Sequence, residues 1–364
     1  MADVADRIEA RQLVDGDAGT AGVAAPAHQD GPPLPEVMIQ LITGYWVSQA
    51  VGVVARLGVP DHLAAGPRGS DDLARAVGAH PQALYRVLRT LASIGVFCQP
   101  DPGVFGLTPL GETLRSDTPG SVRDFAIAET AYGHWQPWGR FLDSVKTGKP
   151  MSREALGIEL WQWYGENPEE AEFFSRAMGN LSALAASELV RVYDCATART
   201  IVDVGGAHGI LLAAALRANP NARGILFDLP HVIATAAEAV AAQGIAERCE
   251  LVGGDFFDAM PAGADLHLLK QIVHDWDDEH AARLLTNCHR ALAPGGKLLL
   301  VEMVLPPDNR PSAVQPMDLN MLAMLGGRER TEAEYRGLLD GAGFRLERVI
   351  PTHSPFSVIE ATRI

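Results

Sequence analysis

The residues of this chain best suited to chemistry lie at the ends of three successive predicted strands. The first strand ends in Asp203-Val204-Gly205-Gly206-Ala207-His208-Gly209, and a helical pattern follows. Glycines at a strand-to-helix turn let the backbone approach a ligand at the sheet edge where open α/β folds bind nucleotides. Asp228 ends the second strand, where a carboxylate can accept hydrogen bonds from a ribose diol, and Gly254-Asp255 ends the third. The three ends together predict a nucleoside-binding crevice; the alternative is that Asp228 and Asp255 are solvated turn acids.

The charge beside the glycines distinguishes two kinds of nucleoside cofactor. A dinucleotide seats its pyrophosphate on glycine amides and a helix N-terminus. S-adenosylmethionine has no phosphate and carries a sulfonium cation, which favours an acidic rim. Asp203 lies just before the glycines, where a carboxylate would repel a pyrophosphate. The pattern therefore favours the sulfonium cofactor over a nicotinamide dehydrogenase.

The fourth strand runs into His274-Asp275-Trp276, and at this point the ordered motifs match a known family. The chain resembles the small-molecule O-methyltransferases that include the caffeic-acid, acetylserotonin and bacterial polyketide enzymes, over about residues 37–364. Besides the histidine motif, the resemblance rests on Asp203–Gly209, Asp228-Leu229-Pro230, Gly254-Asp255-Phe256-Phe257, Ala293-Pro294-Gly295-Gly296 and Gly326-Gly327-Arg328-Glu329-Arg330. The set is specific for the family and not for one substrate.

The resemblance implies roles for individual residues. His274 matches the general base, and Glu302 and Glu329 match the acids that orient it. Residues expected to bind S-adenosylmethionine are Asp203, Gly205, Gly206, Asp228, Leu229, Gly254, Asp255, Phe256, Phe257 and Lys270. Residues expected to line the pocket of an aromatic or polyketide-type acceptor are Trp135, Phe174, Met178, Met321 and Met324. No metal is expected, and one departure from the family pattern is Ala207-His208 in the glycine turn.

Deprotonation of the acceptor is the main chemical task that these residues would perform. An unperturbed imidazole has a pKa near 6.5 and a phenol near 10, so full proton transfer is uphill by roughly 3.5 units, or about 5 kcal/mol. Carboxylates at Glu302 and Glu329 would narrow that gap by stabilising the imidazolium. The alternative for His274 is a histidine that only caps or positions its loop. A second alternative is an enzyme that keeps the cofactor and performs non-methylating chemistry.

Around these residues the chain divides into four segments. Residues 1–35 are rich in Ala, Gly, Asp and Pro and predict a flexible tail. Residues 36–118 predict a winged-helix-like dimerisation domain, and 119–196 a helical linker that contributes to the acceptor pocket. Residues 197–364 alternate strand and helix, which predicts a Rossmann-like α/β domain with a C-terminal antiparallel hairpin. The predicted strands are Thr200–Val204, Gly224–Asp228, Cys249–Gly253, Ala264–Leu269, Lys297–Val304, Phe344–Ile350 and Ser357–Ala361.

Two features of the N-terminal half bear on partners. The stretch Val37–Leu57 leaves almost no polar face, so we expect a helix buried at the interface of a homodimer. A helix from Ser70, a second helix over 82–94 and a hairpin over 96–107 form a winged helix-turn-helix pattern. The second helix carries only Arg86 and Arg89 as cations. Two arginines are few for a surface that binds the phosphates of nucleic acid. A packing or dimerisation module is therefore favoured over a DNA-binding regulator.

Composition excludes several other classes. With 30 basic and 45 acidic residues the 364-residue chain carries a formal charge of −15, which disfavours nucleic acid and anionic membranes as partners. The length suits two domains with sizeable cores. Four widely spaced cysteines, predicted to be small core residues, form no metal-binding pair and are typical of a reducing cytoplasm. We expect no secretory signal and no membrane span.

Overall fold

The computed structural model describes residues 32–308 and 310–364. Most of the predicted tail over 1–35 lies outside the described residues, and the first helix of the described part begins at Leu34, inside that predicted segment. The N-terminal elements are α1 (Leu34–Ile42), α2 (Gly44–Arg56), α3 (Val59–Leu63), β1 (Arg68–Gly69), α4 (Ser70–Val77), α5 (Pro81–Ser93), β2 (Phe97–Asp101), β3 (Val104–Leu107) and α6 (Pro109–Glu112).

The apolar stretch predicted as one helix over Val37–Leu57 is two helices. The chain leaves helical geometry at Thr43, and α1 and α2 meet there at a bend of 43°. In the single chain the apolar surface of these helices is exposed, which leaves it free for the predicted dimer interface: it comprises Leu34, Met38, Ile39, Leu41, Ile42, Tyr45, Trp46 and Val53. Among the described residues no single helix could cross a membrane, although this bent pair together has sufficient length and apolar character.

The predicted helix-turn-helix and hairpin are present with small shifts of their ends. Helices α4 and α5 are separated by a turn in which Gly78 has a φ of +67°. Strands β2 and β3 form an antiparallel hairpin, and β1 pairs with β3 on the other side. One buried cluster joins these elements, and its members include Leu73, Leu84, Leu88, Leu91, Phe97 and Phe105.

A helical segment follows, which contains α7 (Arg123–Thr130), α8 (Tyr132–Trp138), α9 (Phe141–Thr147), α10 (Ser152–Leu156), α11 (Leu160–Glu166) and α12 (Pro168–Val192). Helix α12 is 25 residues long and begins with a proline, whose fixed φ suits a first helical turn. It packs against α7 on one side and against the first helix of the α/β domain on the other. This position makes α12 the wall between the two halves of the chain.

The α/β domain is built on a seven-stranded sheet in the order β11-β12-β8-β7-β4-β5-β6. Strands β4 to β8 are parallel, and β12 and β11 add an antiparallel hairpin beside β8. The elements are β4 (Thr200–Val204), α13 (Ile210–Ala218), β5 (Arg223–Asp228), α14 (Pro230–Ala242), β6 (Cys249–Gly253), β7 (Ala264–Lys270), α15 (Asp278–Ala291), β8 (Leu292–Glu302), β9 (Val304–Leu305), α16 (Val314–Met324), β10 (Arg330–Thr331), α17 (Glu332–Gly341), β11 (Phe344–Pro351) and β12 (Ser357–Arg363).

Helices cover both faces of this sheet. The run Leu298–Val301 on β8 is almost fully buried, as expected for a strand packed on both sides. Two clusters of buried apolar residues, one on each face, form the core of the domain. Of the four cysteines, Cys195 and Cys288 are buried as predicted, whereas Cys98 is exposed and Cys249 is half-buried.

The strand predicted over Lys297–Val304 differs at both ends. Strand β8 starts earlier, at Leu292, and stops at Glu302. The next residues form β9, which pairs in parallel with β10 in a separate two-stranded sheet, with Val304 opposite Arg330. Glu302 and Glu329 each lie just before one of the two paired strands, so this pairing brings them into the same region of the domain.

Candidate active site

The glycine turn after β4 is a backbone cradle that side chains would fill. Gly205 has a φ of +68°, and a Cβ there would lie 2.6 Å from Ile272 Cδ1. A Cβ on Gly206 would lie 2.5 Å from Leu226 Cδ1 and 2.6 Å from the carboxyl carbon of Asp203. Only glycine fits both positions without displacement of these neighbours.

Asp203 is buried beneath this turn. It is 2% exposed, and its Oδ2 accepts a hydrogen bond from the Leu212 amide at 3.1 Å, in the first turn of α13. Burial raises the pKa of the Asp203 carboxyl to about 7. A cation bound nearby would stabilise the ionised form of this carboxyl and lower its pKa.

Asp228 fastens the turn to the end of β5. One carboxylate oxygen accepts from the Ala207 amide at 2.8 Å, and the other accepts from the Leu229 amide at 2.7 Å. Ala207 has a φ of +48°, in the region that favours glycine. At the departure from the family pattern, Ala207 is exposed and lines the cavity together with His208.

The end of β6 adds an aromatic cluster beside the turn. Gly254 donates its amide to the Asp228 carbonyl at 2.9 Å, and a Cβ on it would lie 2.7 Å from the Phe227 ring. The Asp255 carboxylate accepts from the Phe257 amide at 2.8 Å. The rings in this cluster meet edge to face at centroid distances of 4.7 to 6.0 Å and belong to Phe256, Phe257 and Trp276.

Lys270, at the end of β7, joins the sheet edge to α12. Its Nζ donates to Ser182 Oγ at 3.0 Å. Burial lowers the pKa of the ammonium to about 8, although the carboxylates of Glu302, Asp203 and Asp275 oppose that shift. The group is thus a cation held among acids at the base of the crevice.

His274 lies in a short 3₁₀ turn, Val273–Asp275, that follows β7. Its ring is 4% exposed. Nδ1 lies 2.8 Å from Glu329 Oε1, and Nε2 lies 3.4 Å from Asp275 Oδ1. Since the fully buried Glu329 occupies Nδ1, Nε2 is the ring nitrogen left for proton exchange with a ligand.

Glu302, at the end of β8, holds the turn that carries this histidine. Its Oε1 accepts from the amides of Ile272 and Val273, at 3.2 and 3.0 Å. Burial raises the pKa of the Glu302 carboxyl to about 7, and the nearby His274 opposes that shift. One oxygen each of Glu302 and Glu329 is buried with no protein partner among the described residues.

The acids dominate the electrostatics of the imidazole. Burial on its own lowers the pKa of His274, but the carboxylates of Asp275, Glu302 and Glu329 more than offset it and raise the pKa to about 9. The site therefore stabilises an imidazolium, which is the property that a base for a weakly acidic hydroxyl requires.

Two residues that position the histidine turn have no role assigned from the sequence. Arg330 is fully buried, and its guanidinium donates to the carbonyls of Val273 and Trp276 at 3.1 and 2.8 Å. Asp318 on α16 accepts the Glu329 amide at 2.9 Å. The only sequence signal for Arg330 is its place in the Gly326–Arg330 motif.

A cavity of about 370 Å³ joins the predicted cofactor and acceptor residues. Those in its wall are Asp203, Gly205, Gly206, Lys270, His274, Phe174, Met178, Met321 and Met324. Glu302 and Glu329 lie behind His274, and the remaining cofactor candidates lie at the ends of β5 and β6: Asp228, Leu229, Gly254, Asp255, Phe256 and Phe257.

One predicted acceptor residue lies elsewhere. Trp135 is not part of the cavity wall; it packs against Tyr45 of α2 with ring centroids 6.1 Å apart. The wall includes Trp161, one of the aromatic residues of the helical segment that suit a flat apolar ligand, and also residues that the sequence did not single out for this role, namely Phe125, Glu129, His134 and Asn320. They come from helices whose packing has no signature in the local sequence.

Comparison with known sequences identifies the family. A model of the O-methyltransferase domain matches residues 138–345, and a model of the O-methyltransferase dimerisation domain matches residues 39–117. The chain belongs to the S-adenosylmethionine-dependent O-methyltransferase family. The helix-turn-helix and hairpin lie within the part that matches the dimerisation domain.

Curated relatives agree with this O-methyltransferase assignment. The chain is 43% identical over 332 residues to phenazine O-methyltransferase PhzM of Lysobacter antibioticus, which covers 91% of this chain and 97% of that protein. It is 39% identical over 333 residues to the mitomycin biosynthesis 6-O-methyltransferase of Streptomyces lavendulae, which covers 90% and 94%.

Solved O-methyltransferase structures share the fold. The crystal structure of LaPhzM has a TM-score of 0.85 and 43% identity, with coverage of 92% of this chain and 100% of that one. CalO1, a methyltransferase in calicheamicin biosynthesis solved in an S-adenosylhomocysteine-bound form, has a TM-score of 0.82 and 35% identity, with coverage of 92% and 100%.

Proposed function

We propose that this chain transfers a methyl group from S-adenosylmethionine to a hydroxyl of an aromatic or polyketide-type small molecule, with His274 as the general base. The observation that carries the proposal is a shared cavity wall: the glycine turn of Gly205 and Gly206 borders the same space as His274, whose Nδ1 lies 2.8 Å from Glu329 behind it. Donor and acceptor would thereby meet within reach of one buried imidazole.

The residues at the sheet edge fit the proposed cofactor. S-adenosylmethionine, when bound, supplies an electrophilic methyl group on a sulfonium sulfur. Gly205 and Gly206 would hold its methionine part, because they leave a cradle that a Cβ would fill. The Asp228 carboxylate would accept from ribose hydroxyls, and Asp255 with Phe256 would bind adenine. The anionic rim from Asp203 to Asp228 complements a cation and disfavours a pyrophosphate.

His274 would accept the acceptor's proton at Nε2 while Glu329 stabilises the imidazolium through Nδ1. With the pKa of His274 raised to about 9, proton transfer from a phenol of pKa near 10 is much less uphill than from an ordinary histidine. The same step from an unperturbed imidazole would cost about 5 kcal/mol. The buried carboxylates would therefore make the imidazole basic enough to accept a proton from a phenol.

The phenylalanine and methionines of the wall would orient the acceptor. Phe174 and Met178 project from α12, and Met321 and Met324 from α16. Flat aromatic and flexible thioether surfaces bind a planar apolar ring well. Positioning of the hydroxyl in line with the methyl group is the remaining requirement for rate.

Calorimetry of the purified chain with S-adenosylmethionine and, separately, with NAD⁺ tests the cofactor assignment. We expect binding of the first and none of the second; the reverse result contradicts it. Incubation with S-adenosylmethionine and a panel of hydroxylated aromatics, analysed by mass spectrometry, tests the reaction. Formation of S-adenosylhomocysteine with a methylated product is expected. Consumption of the cofactor without a methylated product would instead favour non-methylating chemistry.

A further inference from the structure

The cavity has a distal end beyond Phe174, where Glu129 and His134 form part of its wall and have no role in the proposed methyl transfer. Phe174, Met178 and Ser182 are spaced four residues apart on α12 and so lie on one face of the helix. Ser182 lies at the cofactor end of the cavity, because its hydroxyl accepts a hydrogen bond from Lys270. At 1.5 Å per residue, Phe174 lies about 12 Å along the helix from Ser182.

The distal end holds a connected set of polar groups. His134 is 5% exposed; its Nε2 lies 3.4 Å from Glu129 Oε1, and its Nδ1 lies 3.4 Å from the Tyr164 hydroxyl. The Tyr164 ring stacks on Phe174 with centroids 4.8 Å apart. Burial, with the charges of Glu129 and Glu170, raises the pKa of Tyr164, which keeps this hydroxyl neutral.

The charge along the cavity is uneven. Its described lining contains three carboxyl groups, on Glu129, Asp203 and Asp275, and one side chain of lysine or arginine, Lys270. Lys270 lies at the cofactor end. The nearest arginine on α12, Arg176, is paired with Asp124 and Glu172 outside the cavity. The distal end therefore offers an acceptor a carboxylate and no lysine or arginine.

We propose that Glu129, with His134, is a specificity-determining residue that selects acceptors with a hydrogen-bond donor, such as an amino group, at the end distant from the methylated hydroxyl. The same residue disfavours acceptors with a carboxylate at that position. This inference rests on the proposed function, since it assumes that the hydroxyl lies at His274. Like charges in a partly buried site repel strongly, whereas a carboxylate beside an N–H donor makes a charge-assisted hydrogen bond.

Three matched probes test the inference: 7-amino-2-naphthol, 2-naphthol and 7-hydroxy-2-naphthoate. Binding of each to the full chain loaded with S-adenosylhomocysteine is measured by calorimetry, and methyl transfer to each is measured as kcat/KM. We expect the aminonaphthol to bind tightest and the naphthoate at least about tenfold more weakly than the aminonaphthol. Binding and turnover are separate readouts, so failed methyl transfer with the expected order of binding would contradict the proposed function alone.

Glu129→Gln is the informative variant, because glutamine keeps the shape of the side chain and removes its charge. We expect it to reduce the preference for the amine over the carboxylate by about tenfold. Glu169→Gln is the matched control: Glu169 is an exposed residue of α12 that pairs with Arg56 outside the cavity, and its loss should leave the preference unchanged.

Three results would overturn the inference. They are naphthoate binding equal to or tighter than that of the aminonaphthol, a preference that Glu129→Gln leaves unchanged, and a failure of all three probes to bind. The last counts against it because the aminonaphthol presents the donor group that the distal end is inferred to require.

Discussion

His274 Nδ1 lies 2.8 Å from Glu329 Oε1, although 55 residues separate the two in the chain. The parallel pairing of β9 with β10 brings Glu329 close to Glu302, since Glu329 directly precedes β10 and Glu302 directly precedes the residue before β9. The histidine is thus enclosed by acids from two chain segments joined by one short sheet. Its proton affinity depends on that sheet as much as on its own turn.

The raised pKa of His274 predicts a rising pH profile. A general base must be neutral, and the pKa of about 9 means that His274 is mostly protonated at pH 7. We therefore expect kcat to rise with pH, about tenfold per unit well below the pKa, and to level off above it. Steady-state rates from pH 6 to 10 check this; a flat profile would contradict it.

Glu329→Gln provides the control for that profile. Loss of one of the carboxylates that raise the pKa of His274 should move the midpoint to lower pH, while the plateau rate falls because the imidazolium is less stabilised. A midpoint that stays at the wild-type value in this variant would show that Glu329 does not set the proton affinity of the base.

The glycine turn predicts a specific loss of cofactor affinity. A Cβ at Gly206 would lie 2.5 Å from Leu226 and 2.6 Å from the carboxyl carbon of Asp203. Gly206→Ala should therefore weaken S-adenosylhomocysteine binding by about tenfold or more in calorimetry. Gly337, in α17, has open space at its Cβ position; Gly337→Ala should leave binding unchanged and raise the free energy of unfolding by roughly 0.5–1 kcal/mol. Equal cofactor affinities in the two variants would contradict the role of the Gly205–Gly206 turn in holding the cofactor.

Much of this site could be predicted from the sequence, because local patterns report strand ends well. Asp203 and Asp228 each follow apolar residues of a buried strand, Gly254 follows the next strand, and parallel topology puts such ends at one edge. The break at Thr43 was not predicted, since the apolar pattern continues across it without a proline or glycine at that residue. The position of Trp135 and the distal pair of Glu129 and His134 depend on how short helices pack, which their own periodicity does not encode.

The acid–histidine cluster predicts indifference to metal chelators. Ligand atoms of His274, Glu302 and Glu329 lie within 4.8 Å of one another and could by distance alone hold an ion. However, Nδ1 is bonded to Glu329, and Glu302 Oε1 already accepts two backbone amides. We expect turnover to be unchanged by excess EDTA. Loss of activity that added Zn²⁺ or Mg²⁺ restores would instead assign the cluster to a metal.

The exposed apolar surface of α1 and α2 predicts a homodimer. Ile42, 64% exposed in the single chain, belongs to the exposed apolar surface of eight side chains on α1 and α2, and a patch of this size marks an interface with a second copy. Ile42→Glu should weaken the dimer, measured by light scattering after size-exclusion chromatography. Leu142 on α9, at 65% exposure, gives a matched control outside the dimerisation match, and Leu142→Glu should remain dimeric. A wild-type monomer would contradict the prediction.

The most direct test of His274 as general base is the turnover of His274→Ala saturated with S-adenosylmethionine. We expect cofactor affinity close to wild type by calorimetry and a fall in kcat of about 10²–10⁴. His353→Ala, which alters an exposed histidine near the C-terminal hairpin, should retain wild-type kcat. Wild-type turnover by His274→Ala would contradict the mechanism, because some other group would then have to accept the proton of the hydroxyl.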